Sequence, residues 1–222
     1  MGLSKQALRD AVRNQLDVDD EELPNGRLDL YLADSFQQTV QRERKWPFLE
    51  FEWEITIADG EPHVLPVDFA AADSVYLYGS AQLQFLAHGF AEEQFGRDGS
   101  IGSSVFYSLR NGKIYLWPAP EQDAAVLLIS GWRKPADFLE ASAAAEPDCD
   151  SRLHIPLIYN ACALAMAANE DEVINSLYYQ MWQRGVDQAR VDIMRTDPGR
   201  RRIFASGVVK GVSKVAAVFG LG

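Results

Sequence analysis

The chain has 222 residues, a net charge of −11 and 47% hydrophobic residues, with five Trp, eight Tyr and eleven Phe. That length and aromatic content suit a folded domain with a real core and exclude wholesale disorder or a disulfide-stapled miniprotein. Two cysteines, Cys149 and Cys162, no basic-apolar leader and no run of about 18 apolar residues predict a soluble protein of a reducing compartment, with no membrane span.

The charge is divided unevenly. From residue 195 onward Arg195, Arg200, Arg201, Arg202, Lys210 and Lys214 are opposed only by Asp197, a net of +5 that leaves −16 on the preceding 194 residues. An acidic body argues against a protein that grips nucleic acid over its whole surface.

Leu3, Ala7, Leu8, Ala11, Val12 and Leu16 recur at helical spacing behind Ser4 as N-cap, which predicts a helix over 3–16. Acidic residues 17–22 and the run Leu23-Pro24-Asn25-Gly26 break it. Leu28, Leu32, Phe36 and Val40 then predict a second helix over 26–46, closed by the charged run Arg42–Lys45 and by Pro47, which turns Trp46 away from helical angles. From Phe51 the period becomes two. Phe51, Trp53, Ile55 and Ile57 share one face, and Glu52, Glu54 and Thr56 share the other.

Asp59-Gly60 reads as a turn, Val64 to Pro66 as an extended piece, and Val75 to Tyr78 as a strand. Residues 82–95 leave helix and strand open, and Gly96 to Ser104 reads as a loop. Asn111-Gly112 suits a type I′ hairpin turn, whose register pairs Leu109 with Ile114 and Tyr107 with Leu116. Val126 to Trp132 extends the sheet, and 136–150 reads as a linker. Two helices, 155–170 and 171–195, follow as a hairpin, with Pro156 in the first turn. The expected fold is α+β: a helical bundle of two N-terminal and two C-terminal helices, with a small antiparallel sheet inserted within 51–134. These form a single domain, 1–196, and an extended C-terminal arm, 197–222, follows it.

Chemistry-bearing patterns are sparse. His63, His88 and His154 are scattered, no Cys-x-x-Cys exists, and His154 with Cys162 lacks the setting of a cysteine nucleophile. The glycine loop lacks the Gly-Lys-Ser/Thr ending of a phosphate cradle, and there is no Gly-x-Ser-x-Gly elbow. Carboxylates abound at Asp19 to Glu22 and at Glu92 and Glu93, but a glycosidase needs two held about 5–9.5 Å apart, which sequence does not place. No catalytic residue, cofactor or metal is expected. The arm is cationic, with Val208, Val212, Val215 and Phe219 on one helical face and Gly207 and Gly211 weakening that helix. Phosphate, an anionic membrane surface and an acidic groove on another protein all remain open as its ligand.

The order of these features resembles a known family. Two helices, Trp46-Pro47-Phe48-Leu49, a strand, Asp59-Gly60, then Val64-Leu65-Pro66-Val67-Asp68-Phe69 with a strand after it look like the head-to-tail adaptor proteins of tailed bacteriophages. The β-rich middle, two late helices and C-terminal arm extend the resemblance over nearly the whole chain. It implies a non-enzymatic virion protein of the neck, assembled in the host cytoplasm as a ring of twelve copies beneath the portal. Such a ring extends the DNA exit channel and offers a platform to a tail or nozzle protein. Trp46, Pro47, Phe48, Leu65, Pro66, Asp68 and Phe69 are then structural. Arg200, Arg201, Arg202, Ile203 and Phe204 become the first anchors of a portal-binding arm that continues through Lys210 and Lys214, although its many small terminal residues depart from that pattern. DNA should pass without specific binding, because Lys and Arg contacts to phosphate create strong nonspecific affinity and an acidic wall repels the duplex. Copies carrying −11 each also repel one another, so the chain is expected to stay unassembled until it meets the portal. The alternatives are a neck stopper or tail-tube protein, a carboxylate-dependent hydrolase or lyase, and a DNA- or membrane-binding module acting through the tail.

Overall fold

A computed structural model describes residues 2–42, 45–57, 62–78, 82–96, 101–120, 125–168 and 172–196. The Asp59-Gly60 turn, residues 97–100 of the glycine loop and the whole arm lie outside the described residues. The chain divides into two compact units, Met1–Thr39 with Ser142–Gly222, and Val40–Ala141.

In the first unit Ser4 caps helix α1, Lys5–Leu16, its hydroxyl accepting from Ala7 N–H at 3.2 Å. The chain leaves α1 through Asp17, which is left-handed at φ 55°. Helix α2 runs over Asn25–Phe36, ten residues shorter than the expected end at 46, because the chain widens into a π-helical turn at Gln37–Gln41. Arg9 clamps the two helices, giving Asp29 a two-pronged bond at 2.7 and 2.6 Å, with Lys5 Nζ at 3.3 Å. Burial alone would raise the Asp29 carboxyl, but Arg9 and then Lys5 outweigh it and hold it below its ordinary value.

Helix α4, His154–Ala168, has no Asp, Glu, Lys or Arg and is buried on most of its circumference, as expected of a central helix. It packs against α1, α2 and α5, Glu172–Thr196. Small residues allow that closeness: a Cβ on Gly185 of α5 would sit 3.0 Å from Pro156. Buried polar groups are tied across elements, with Ser35 Oγ donating to Leu157 O at 2.8 Å and Trp182 Nε1 to Thr39 Oγ1 at 2.9 Å. His154 Nδ1 accepts from Leu3 N–H at 2.8 Å. Burial lowers the His154 pKa, outweighing the opposing charges of Glu146 and Asp150.

The second unit overturns the expectation of a helical bundle with a small antiparallel insert. Its strands are β1 Glu50–Ile57, β2 His63–Val64, β3 Phe69–Leu77, β4 Gln82–Phe85, β5 Phe106–Arg110, β6 Lys113–Trp117 and β7 Ala125–Arg133. They form one seven-stranded mixed sheet in the order β1-β7-β3-β4-β5-β6-β2. The β4–β5 pair is parallel and the other pairs are antiparallel. Residues 82–95 turn out to be both alternatives in succession, β4 and then helix α3, His88–Phe95. Trp53 and Ile57 of β1, Val75, Leu83, Tyr107, Ile114, Leu116, Leu127 and Ile129 share one buried cluster. Because β1 and β6 lie far apart in the strand order yet feed the same core, the sheet curls toward a barrel. Burying each large side chain there is worth about 1.5–3 kcal/mol, so the sheet carries its own core.

The hairpin register is the expected one, Leu109 facing Ile114 and Tyr107 facing Leu116, with Asn111 and Gly112 at φ 52° and 69°. Strand β3 shifts register twice against β7, between Phe69 and Ala71 and between Ala72 and Ser74. Opposite those bulges a Cβ on Gly131 would collide with the Ala71 carbonyl oxygen and meet Ala72 Cα at 2.9 Å, both backbone atoms.

Gly131→Ala should therefore destabilise the protein by about 3 kcal/mol in urea unfolding, since the backbone must move. Gly89→Ala, with nothing within 4 Å of its Cβ, should be neutral or stabilising by up to about 1 kcal/mol. A pH effect follows from His154, whose folded pKa lies below its unfolded one. Its contribution is complete above the unfolded value of about 6.5 and is lost as pH falls toward the folded pKa. The unfolding midpoint should drop on acidification from about pH 7 to 5, and less steeply in His154→Gln.

Candidate interface

The seven motif residues all lie in the sheet unit. Trp46 is buried and stacks on Phe48 at 5.7 Å, with Pro47 opening a single 3₁₀ turn, Pro47–Leu49, that leads into β1. Leu65 N–H donates to Gly112 O at 2.9 Å, tying its segment to the hairpin turn. Pro66 O accepts from Phe69 N–H at 3.0 Å, and Asp68 acts through its carbonyl, which accepts from Lys134 N–H. The Phe69 ring lies 5.3 Å from Trp53, which in turn lies 5.3 Å from Phe51. The two motifs thus frame the ends of β1 and β3, the first leading into β1 and the second anchoring on its Trp53.

One constellation has the residue types of a nucleophilic relay. Trp117 Nε1 donates to Ser108 Oγ at 2.9 Å, and that oxygen lies 3.0 Å from His88 Nδ1. His88 Nε2 in turn lies 3.4 Å from Glu92 Oε1. Arg110 reaches the other oxygen of Glu92 at 3.6 Å. Ser108 is fully buried, with its hydroxyl bonded to both Trp117 and His88, so the chain braces α3 against the hairpin.

Cys162 is buried and Cys149 half-buried. Burial pushes the Cys162 thiol up to about 12, and burial with the charges of Asp148 and Asp150 raises Cys149, so neither offers a thiolate. The acids singled out by sequence do not converge: Glu21, Glu22 and Glu93 are exposed, and Asp19 Oδ1 accepts from the backbone of Glu21 and Glu22. The resolved carboxyl shifts, at Asp29 and Asp150, run downward, opposite to what a general acid requires. Among the described residues no group of His, Cys, Asp and Glu could hold a metal ion, and no helix is long and apolar enough to cross a membrane.

Sequence reasoning missed the anchorage of the helix that precedes the arm. Arg152 makes a two-pronged bond to Asp150 at 2.8 and 2.7 Å, and its Nη1 donates to Thr196 Oγ1 at 2.8 Å. Thr196 is the last residue of α5 and also donates to Asp192 O at 2.8 Å. Asp150, whose pKa the Arg152 hydrogen bond lowers, also caps the 3₁₀ turn Ser151–Leu153. An Asp-x-Arg pair at a helix entry is the local signal; its link to Thr196, 44 residues on, is not local. The predicted arm residues Arg200, Arg201, Arg202, Ile203, Phe204, Lys210 and Lys214 lie outside the described residues.

No curated protein matches the chain. The family of the SU10 adaptor protein matches residues 4–202, which takes in both motifs, the strands and helices between and around them, and the first three arginines of the arm. The chain belongs to this family of bacteriophage head-to-tail adaptors, as Trp46-Pro47-Phe48 and Leu65-Pro66-Val67-Asp68-Phe69 in their order implied.

Proposed function

We propose that the protein forms a ring of about twelve copies in the phage neck, docks on the portal, extends the DNA channel and presents a platform to the next tail protein. Membership of the adaptor family over residues 4–202 is the observation that carries this reading. Charge supports it: an acidic body lets DNA slide where a basic one would hold it. In this reading the arm, 197–222, is the portal-docking element, and the Arg152–Thr196 bond fixes the helix end from which it departs. Arg200, Arg201, Arg202, Ile203 and Phe204 lead that arm, and Lys210 and Lys214 continue its charge. Mutual repulsion of acidic bodies delays assembly until the portal supplies compensating contacts.

Light scattering and negative-stain imaging test this, on the protein alone and mixed with the cognate portal. The expected result is no ring alone at physiological salt, a ring stacked on the portal after mixing, and loss of that ring when 197–222 is deleted. Absence of association at any salt overturns the adaptor role and favours a stopper, whereas a stable ring without portal overturns portal-dependent assembly. Arg152→Ala should retain its helical circular dichroism while weakening portal binding about tenfold, equivalent to about 1.4 kcal/mol.

A further inference from the structure

Strand β1 ends the sheet. It pairs with β7 along all eight of its residues, and among the described residues no strand pairs with its other edge. Such an edge is a row of backbone N–H and C=O groups able to receive another strand. Its side chains divide by parity. Glu50, Glu52 and Glu54 are exposed on one face. On the other, Trp53 and Ile57 enter the core while Phe51 remains 47% exposed. The edge therefore offers a carboxylate ladder on one side and an uncovered aromatic ring on the other.

This pattern selects its occupant. A second β1 would set Glu against Glu, which is destabilising. A basic strand with an aliphatic residue of opposite parity fits, and the chain contains one in Arg200-Arg201-Arg202-Ile203-Phe204. Laid antiparallel with Arg202 opposite Glu52, the segment sets Arg200 opposite Glu54 and Ile203 opposite Phe51. Arg201 falls opposite Trp53 on the aromatic face, where a guanidinium stacks well, and Phe204 falls opposite Glu50 at the strand end. A slip of one residue leaves one arginine instead of two facing the carboxylates and sets Ile203 among them, so this register is favoured.

We propose that Arg200–Phe204 of one copy adds as an antiparallel strand to the open edge of β1 in a neighbouring copy. The inference rests on the ring reading above and supplies its subunit link. Pairing between copies is favoured by charge, because an arm folded back on its own body leaves whole copies to repel one another. An arm that crosses brings cations to the next acidic body. Arg200–Phe204 then link copies, and docking on the portal falls to the rest of the arm, with Lys210 and Lys214.

The test uses portal-bound rings assembled from an equal mixture of Phe51→Cys and Ile203→Cys chains. Opposed residues of an antiparallel pair lie within disulfide reach, and the native thiols, Cys162 buried and Cys149 half-buried with a raised pKa, are poor competitors. Oxidation should give chain-to-chain disulfides in the mixture. The double variant Phe51→Cys/Ile203→Cys should give a ladder of linked chains. Glu52→Lys/Glu54→Lys and Arg200→Glu/Arg202→Glu should each reduce ring formation on the portal at least tenfold, and combining the four changes should restore it to within about threefold. A disulfide confined to single chains, no disulfide, no loss on charge reversal, or loss without rescue each overturns the strand exchange. These results leave the adaptor role standing if wild-type rings form on the portal; failure of the wild type to form rings there refutes that role itself.

Discussion

Strand β7 is held between β1 and β3, and at Gly131 the backbone of β3 comes so close that no side chain fits between them. Much else depends on this insertion. The chain completes the hairpin of β5 and β6 and then returns to pair with two strands made far earlier, Glu50 opposite Trp132 and Leu77 opposite Leu127. The bulges in β3 absorb the mismatch and add twist, which lets the sheet curl until β1 and β6 share a core. The insertion also leaves β1 outermost, with its acidic face in solvent and one edge unpaired among the described residues.

What the sequence made legible was local. Ser4 caps α1, and Asn111-Gly112 turns the hairpin in the register that apolar pairing requires. Each depends on residues within a few positions of one another. The size and mixed character of the sheet depend instead on the parallel pairing of Gln84 and Phe85 with Phe106 and Tyr107, and on β7 entering between β1 and β3. Periodicity carries no information about such partners. The shortened α2 has a similar origin: Leu28, Leu32, Phe36 and Val40 keep a four-residue spacing into the wider turn, so the pattern alone did not reveal the change of helix type.

The same division runs through the candidate interface. The aromatic motifs carried the family resemblance, yet the Arg152 bond to Thr196 joins a helix entry to a distant helix exit. Glu52 and Glu54 were readable as a solvent face, but nothing in their spacing says that their strand ends a sheet. Residue types that suggest catalysis, Ser108 with His88 and Glu92, prove to be a closed hydrogen-bond chain donated into by Trp117. Satisfied buried polar groups of this sort fix a single packing of helix on hairpin.

The division of the chain also has a consequence for biosynthesis. The sheet unit is one continuous stretch, Val40–Ala141, whereas the helical unit draws on both ends of the chain. A continuous stretch can close its core while the ribosome is still at work, because all its partners have emerged. Helices α1 and α2 must wait for α4, which arrives more than a hundred residues later and buries their apolar faces. Residues 197–222 follow the whole of Val40–Ala141 in the chain, so the sheet unit can complete its core, β1 included, before they emerge.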